Sequence, residues 1–274
     1  MRLSISNIAW DISEDALIAD ILADFGLTAI DIAPGKYFPA PHKATKKDIQ
    51  NVRHWWNKRG VAITGMQSLL FGTEGLNVFG DVKSQSAMLR HLEATAFIAV
   101  GLGAEFLVFG SPKNRDRSGL SDLSANSVAI DFFRRLGDMA ATYAVCFCLE
   151  PNPPCYGANF MVDSLSTAEI VRKINHPNIK MQLDLGAAAI NGENVNRILK
   201  EAVDLIGHIH LSEPSLLPLG DSPTDHNCIG KLLNEVLPSH IACIEMLTTA
   251  GEPHCESISR ALKLASACYG GASL

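Results

Sequence analysis

The 274-residue chain is poor in charged and aromatic residues and carries no excess of positive charge. Charged residues make up 19% of it and aromatic residues 7%, and the formal net charge is −6 with a pI near 5.8. Such a composition offers no long-range attraction to a nucleic-acid backbone or to an anionic membrane. We therefore expect neither a nucleic acid nor a membrane as a partner.

Targeting and disulfide signals are also missing. The N-terminal sequence MRLSISNIAWDISED lacks the basic segment and apolar stretch of a secretion signal, and no run approaches the roughly 20 apolar residues of a membrane span. The seven cysteines are odd in number, lie mostly within apolar runs and form no C-x-x-C pair. This pattern predicts reduced thiols in a cytoplasmic protein and argues against a cysteine zinc site.

Aliphatic residues, by contrast, are abundant. Hydrophobic residues make up 47% of the chain, which is enough to bury a large core. No linker rich in proline or glycine and no low-complexity tract divides the sequence. The length is close to the roughly 250 residues of a (β/α)8 barrel. The sequence therefore predicts a single domain over residues 1–274.

Apolar runs of strand length alternate with stretches of helical periodicity, as expected of parallel βαβ units. The strand-like runs are Leu3–Asn7, Ala29–Ala33, Ala62–Ser68, Glu105–Gly110, Val145–Glu150, Ile179–Asp184, Ile206–Leu211 and Ile241–Met246. The predicted helices lie near 14–25, 46–59, 82–102, 122–143, 165–174, 192–204, 226–236 and 255–269. Ser13 is the predicted N-cap of the first helix, and Ser164 or Ser166 that of the fifth. The predicted fold class is α/β, a (β/α)8 TIM barrel.

Polar residues stand at or beside the ends of the last four strand-like runs, at spacings of 34, 26 and 35 positions. These residues, called the rim cluster below, are Glu150, Asp184, His210 and Glu245. Because the strands of a (β/α)8 barrel end at one mouth, where such enzymes place their chemistry, the four side chains should converge there. Three carboxylates and one imidazole predict a site for one divalent metal ion, with Mn²⁺ or Mg²⁺ favoured and Co²⁺ or Zn²⁺ also suited.

Residues two apart on a strand share a face, so the rim cluster has a predicted layer beneath it. That layer contains Cys148, Gln182, His208 and Cys243, and it should be small or neutral polar. His208 is expected to be a hydrogen-bonded residue of this layer rather than a ligand. Asp31, at the end of the second strand, is expected either to line the pocket as a substrate contact or to make a structural bond.

Several residues near other strand ends are candidate substrate contacts, each with an alternative structural role. Gln67 can reach a substrate hydroxyl or close the third βα turn, and Trp10 can stack on a bound substrate or cover the rim. Lys113 and Arg115 follow the fourth strand and suggest a phosphate site, although charge in a loop often only interacts with solvent. His226 can contact substrate or cap a surface helix.

Four motifs resemble those of the xylose isomerase-like TIM barrels, a family that includes sugar isomerases, ketose 3-epimerases and endonuclease IV. They are LEPNP at 149–153, QLDLG at 182–186, HIHLSEP at 208–214 and IEM at 244–246. The resemblance covers essentially the whole chain. It implies that the rim cluster binds the metal, and that Glu150 and Glu245 are the catalytic residues, moving protons on opposite faces of the sugar. Asn152 and Glu213, within two of these motifs, are further candidate substrate contacts.

The resemblance thus implies a metal-dependent isomerase or epimerase that acts on a small carbohydrate, free or phosphorylated, through an enediolate. A homo-oligomer is expected, because barrels of this family commonly pair. Two departures imply a different substrate or pose: Ala187 stands where ketose 3-epimerases carry a histidine, and the 212–225 segment lacks their arginine. A non-catalytic sugar-binding barrel is one alternative. An endonuclease IV-like phosphodiesterase is another, although Gln67 and Gly110 stand where it would need zinc-binding histidines.

Overall fold

Eight parallel strands form a closed barrel in the computed structural model, which describes residues 1–270. The strands are β1 Arg2–Ser6, β2 Ala29–Ile32, β3 Ala62–Met66, β4 Phe106–Phe109, β5 Cys146–Leu149, β6 Ile179–Asp184, β7 Ile206–Ser212 and β8 Ile241–Glu245. Each strand pairs with the next in sequence, and β8 pairs with β1. The predicted (β/α)8 TIM barrel is confirmed.

Helices surround the barrel at the predicted positions. They are α1 Asp15–Asp24, α2 Lys46–Asn57, α3 Val82–Leu102, α4 Asp122–Tyr143, α5 Ser164–Ile174, α6 Leu185–Ile190, α7 Val195–Ala202, α8 His226–Val236 and α9 His254–Tyr269. Among the α-helices of residues 1–270, the short α6 is the one that was not predicted; it begins directly after β6, where the Asp184 side chain accepts a hydrogen bond from the Ala187 amide. Within residues 1–270, no helix is both long and apolar enough to cross a membrane.

Both predictions of helix N-caps were wrong. The turn before α1 is capped by Asp11, which forms a capping box with Glu14, and Ser13 donates to Asp11 instead of capping. The N-cap of α5 is Asp163, whose side chain accepts from the Ser166 amide. A carboxylate immediately before the helix competes well with serine for the free amides of the first turn.

The alternation of side chains along the strands separates two buried regions. Phe147 and Leu149 of β5 belong to the apolar core between strands and helices, whereas Cys148 between them does not. On β6, Met181 and Leu183 belong to that core, and Gln182 between them is buried outside it. Because successive strand residues face opposite sides, the barrel interior receives the polar set and the outer layer the aliphatic set.

The barrel interior contains a buried carboxylate–imidazole pair. His208 Nε2 lies 2.7 Å from Asp31 Oδ2, and Thr64 Oγ1 donates to Asp31 Oδ1 at 3.0 Å. Gly65 is required beside this pair, because a Cβ atom there would overlap the Asp31 carboxylate. Burial alone would raise the pKa of Asp31, but His208, together with His210 and the Thr64 hydroxyl, holds the pKa below its ordinary value.

For Asp31, the substrate-contact alternative is wrong and the structural alternative is confirmed. Asp31 does not line the cavity, because its carboxylate is fully buried and held by His208. His208 is a hydrogen-bonded residue of the layer beneath the rim cluster, as predicted. Cys148 and Cys243 occupy it as predicted, and all seven cysteines are free thiols.

Substitution of Asp31 by Ala should destabilise the barrel, because it leaves the buried His208 imidazole without its partner. Leaving a buried polar group without its partner commonly costs about 1–3 kcal/mol in the free energy of unfolding. Urea unfolding of Asp31→Ala and of the exposed control Asp20→Ala, expected within about 0.5 kcal/mol of wild type, measures the effect. Equal midpoints for the two variants would show that the pair contributes nothing.

Candidate active site

A cavity of about 530 Å³ opens at the carboxyl ends of the strands, and all four residues of the rim cluster line it. The loops after β3, β4, β5 and β7 supply most of its remaining wall. From them come Ser68, Leu69, Leu70, Phe71, Ser111, Pro112, Asn152, Tyr156, Glu213, Ser215 and Leu216. The chemistry-bearing side chains therefore meet at the face of the barrel where (β/α)8 enzymes act.

The three carboxylates of the rim cluster converge on one atom of its fourth member, Nδ1 of His210. This nitrogen lies 2.9 Å from Glu150 Oε1, 3.1 Å from Glu245 Oε2 and 3.7 Å from Asp184 Oδ2. One ligand atom from each of the four residues lies within 4.8 Å of the others, and all four residues are buried. Such an arrangement places three carboxylates and one imidazole around a common point.

The cluster fits a divalent metal ion. None of the carboxylate approaches to His210 has hydrogen-bond geometry, so His210 Nδ1 and Glu150 Oε1 are buried polar atoms without a partner. A buried polar atom normally has a hydrogen-bond partner, and three carboxylates close together in a buried site repel one another. A divalent cation removes both penalties, and oxygen ligands with one imidazole suit several such ions.

Neighbouring groups hold the carboxylates in place. Gln67 Nε2 donates to Glu245 Oε1 at 2.5 Å, which leaves Oε2 facing His210. Asp184 Oδ1 accepts from the Ala187 amide at 2.6 Å and from Ser212 Oγ at 3.0 Å, so its other oxygen faces the cluster. Gln67 thus lines the cavity as predicted, but its amide group binds a cluster carboxylate, and only its Oε1 is without a partner.

The Glu150 carboxylate occupies space that is open only because a glycine, Gly110, follows the neighbouring strand β4. A Cβ atom on Gly110 would overlap Glu150 Oε2, so only glycine after β4 admits the carboxylate. Burial raises the pKa of Glu150 to about 7; His210 opposes this shift, and the Glu245 carboxylate adds to it. For His210, burial alone would lower the pKa, but the three facing carboxylates raise it well above its ordinary value.

The loop after β4 does not form the suggested phosphate site. Arg115 is completely buried, and its guanidinium donates to the Glu150 carbonyl oxygen and to Asn152 Oδ1, both at 2.7 Å. Lys113 is exposed and does not line the cavity. The short 3-10 turn Pro112–Arg115 turns the arginine inward, which the sequence spacing did not reveal.

Glu213 and His226 form a second buried pair, at the loop after β7. Glu213 lines the cavity, but its Oε1 is held by the Gly220 amide at 2.9 Å and by His226 Nε2 at 2.8 Å. Its Oε2 accepts from the hydroxyl groups of Ser222 and Thr224. His226 does not reach the cavity, because its other ring nitrogen lies 2.6 Å from the Tyr269 hydroxyl. The pair therefore shapes the loop, and His226 is not a direct substrate contact.

The prediction that Trp10 contacts substrate or covers the cavity rim is also wrong. Its ring is 1% exposed, packs edge-on against Trp56 and donates through Nε1 to Asp15 at 2.8 Å. It belongs to the core beside β1 and cannot stack on a substrate.

Most of the wall residues that the sequence did not single out are apolar or aromatic. Leu216 and Leu247 join through a backbone hydrogen bond of 2.8 Å at the cavity wall. Ser215 and Leu216 both have positive φ angles, and Phe71 lines the cavity with 91% of its surface exposed. Their only signal in the sequence is that they lie in loops after strand ends.

Comparison with known proteins identifies the architecture and its family. Residues 19–258 match the family model for the xylose isomerase-like TIM barrel. No curated protein gives a significant sequence match.

Three solved structures illustrate the similarity. D-psicose 3-epimerase from Clostridium cellulolyticum H10, solved with D-tagatose, has a TM-score of 0.82 at 15% identity, covering 99% of this chain and 100% of that one. The 3-keto-D-glucoside 4-epimerase from E. coli has a TM-score of 0.78 at 15% identity, covering 96% and 99%. The IOLI protein, solved with a bound zinc atom, has a TM-score of 0.76 at 17% identity and covers 98% of both chains. At such identities these structures share the fold with this chain.

Replacing His210 by Ala should weaken the binding of Mn²⁺ or Zn²⁺ by at least about tenfold, since loss of even an outer partner of a ligand commonly costs that much. Calorimetric titration of the metal-free protein measures the affinity. The exposed His42 provides the control variant His42→Ala, which should bind as wild type does. An unchanged affinity in His210→Ala would remove this residue from the ligand set.

The Glu213 carboxylate should make stability depend on pH below neutrality. Burial would raise its pKa, but hydrogen bonds from His226, Ser222, Thr224 and Gly220 lower it from 4.5 to about 2. A lowered acid pKa contributes stability that is present above pH 4.5 and is lost as the pH falls toward 2. The stability difference between wild type and Glu213→Gln should therefore shrink between pH 5 and pH 3.

Urea unfolding across this pH range measures that difference, with the exposed Glu235→Gln as the control. A difference that stays constant with pH would show that Glu213 is not held as an anion.

Proposed function

The chain belongs to the xylose isomerase-like TIM barrel family, and we propose that it is a divalent-metal-dependent isomerase or epimerase of a small carbohydrate. The reaction moves a proton through an enediolate. The observation that supports this proposal most directly is the convergence of three buried carboxylates and one imidazole at the floor of a sugar-sized cavity.

The rim cluster would hold the ion. When bound, a divalent ion there polarises a substrate carbonyl and stabilises negative charge on its oxygen, which acidifies the adjacent C–H bond. Asp184 has one oxygen fixed by the Ala187 amide and by Ser212, and so presents the other in one orientation. The His210 side chain is fully buried, and both of its ring nitrogens lack a hydrogen-bond partner. These two residues serve to hold the ion rather than to move protons.

Glu150 and Glu245 are the proton-transfer residues of the proposal. They approach His210 from different strands, β5 and β8, and both line the cavity. A substrate bound between them presents one face to each carboxylate, so one can remove a proton and the other return one to the opposite face.

The cavity favours an uncharged substrate. Among the described residues that line it there is no lysine or arginine, and its polar side chains are amides, hydroxyls, carboxylates and one imidazole. A phosphate group normally needs an arginine, a lysine or a cluster of amides, and it would be repelled by three nearby carboxylates. We therefore favour a free carbohydrate over a sugar phosphate. The expected homo-oligomer stays a prediction.

Proton exchange in D₂O tests the proposed function. Manganese-loaded protein is incubated with free and phosphorylated ketoses and aldoses, and NMR locates deuterium at carbon and identifies new sugars. Deuterium at one carbon of an unphosphorylated sugar, abolished by a chelator, is the expected result. No incorporation across the panel, with stoichiometric metal bound, would contradict the proposal and favour a non-catalytic sugar-binding barrel.

Replacing Glu245 by Gln should reduce proton exchange by at least about a hundredfold, the usual contribution of a positioned acid or base, because the amide cannot accept the proton. The fold should be unaffected, since the amide keeps the shape of the side chain. The exposed Glu235→Gln is the matched control and should exchange at the wild-type rate. Wild-type exchange in Glu245→Gln would remove this residue from the mechanism.

A further inference from the structure

Arg115 is a buried cation whose hydrogen-bond acceptors are both uncharged. Its side chain has no exposed surface, and its two terminal nitrogens donate to the Glu150 carbonyl oxygen and to the Asn152 side chain. Burying a guanidinium is costly unless its donors are well placed. Both contacts are 2.7 Å, short for such bonds, and both lead to the loop that follows β5.

This contact fixes the orientation of the Asn152 amide. A guanidinium can only donate, so the Asn152 atom 2.7 Å from it must be the oxygen, Oδ1. The NH₂ group therefore points the other way. Asn152 Nδ2 donates to the Pro151 carbonyl oxygen at 3.0 Å and makes a longer contact of 3.4 Å with Glu150 Oε2.

Asn152 also lines the cavity, although the side chain as a whole is only 8% exposed. Its weakly used N–H thus lies beside the Glu150 carboxylate, at the place where the reacting part of a substrate would bind. A donor in that position can bind a hydroxyl or carbonyl oxygen of a carbohydrate. An amide free to rotate would present oxygen and nitrogen alternately, and would not select an acceptor.

We propose that Arg115 is a positioning residue that orients the Asn152 amide, so that Asn152 Nδ2 donates a hydrogen bond to one oxygen of the bound carbohydrate beside Glu150. This inference rests on the proposed function, because it assigns a substrate contact in the same cavity. Because Arg115 is buried, it cannot bind a substrate phosphate. The proposal gives it a different role, which is to orient Asn152.

The test compares two variants that remove the donor of Asn152. Asn152→Asp keeps an acceptor for Arg115, whereas Asn152→Leu removes both. We expect the KM for the exchanged sugar to rise roughly tenfold in both, the effect of about one hydrogen bond. The thermal midpoint should fall further in Asn152→Leu, because Arg115 then loses an acceptor. The exposed Asn51→Asp is the control for the added charge.

Deoxy sugars identify the oxygen that accepts the bond. For the one monodeoxy analogue that lacks this oxygen, wild type and Asn152→Asp should have equal KM values. Metal affinity is measured in each variant, because the new carboxylate lies near Glu150, and KM values are compared at saturating metal. A purely structural role for Asn152 would raise KM for all analogues alike.

Arg115→Met should raise the KM for the parent sugar as Asn152→Asp does. Arg115→Lys keeps one donor, so its KM should lie between that of Arg115→Met and that of wild type. Arg90→Met, at an exposed site, is the control. If Arg115→Met folds poorly, the lysine variant alone decides: its KM for the parent sugar should lie between those of wild type and Asn152→Asp, and a KM equal to that of wild type would contradict the positioning role.

The outcomes separate the two proposals. Wild-type protein without proton exchange on any sugar overturns the proposed function and with it this inference. Wild-type exchange together with an unchanged KM in Asn152→Asp overturns this inference alone. A raised KM in Asn152→Asp but a wild-type KM in Arg115→Met leaves Asn152 as a contact and removes Arg115 from its positioning role.

Discussion

The crowding of three buried carboxylates around the imidazole of His210 is the constraint on which the site depends. Their oxygens approach one ring nitrogen at 2.9, 3.1 and 3.7 Å without forming hydrogen bonds to it. Such an arrangement is unfavourable as bare protein, since like charges and unpaired polar atoms are costly when buried. A divalent cation among the four residues would make it favourable. The proposed metal ion would therefore explain why the barrel keeps this arrangement at its mouth.

The rest of the structure fixes that crowded centre from three directions. Beneath it, the Asp31–His208 pair fills the barrel interior and occupies the space that Gly65 leaves open. Beside it, amides and hydroxyls such as Gln67 bind the outer oxygens of the carboxylates. Above it, the Glu213–His226 pair fixes the loop that contributes part of the cavity wall. Rigid support of this kind is what a metal site needs to hold its ligands in one geometry.

The sequence predicted the barrel and the convergence of the rim cluster, because both follow from periodicity: strands end at regular intervals, and parallel strands end at one face. It did not predict the partners of polar residues, since these depend on which way a loop turns. Arg115 shows the difference: its position after β4 was clear, but only the 3-10 turn at Pro112–Arg115 sends it inward to Asn152. Trp10 was misplaced for the same reason, because its indole bond to Asp15 lies within a local turn.

The most direct test of the central claim is anomalous diffraction from crystals grown with Mn²⁺. The account predicts one strong peak within bonding distance, about 2.0–2.4 Å, of carboxylate oxygens from Glu150, Asp184 and Glu245 and of His210 Nδ1. A peak at another location, such as beside Asp31 and His208, would show that the ligand set is wrong. No peak despite bound manganese in solution would contradict the claim that these four residues form the metal site.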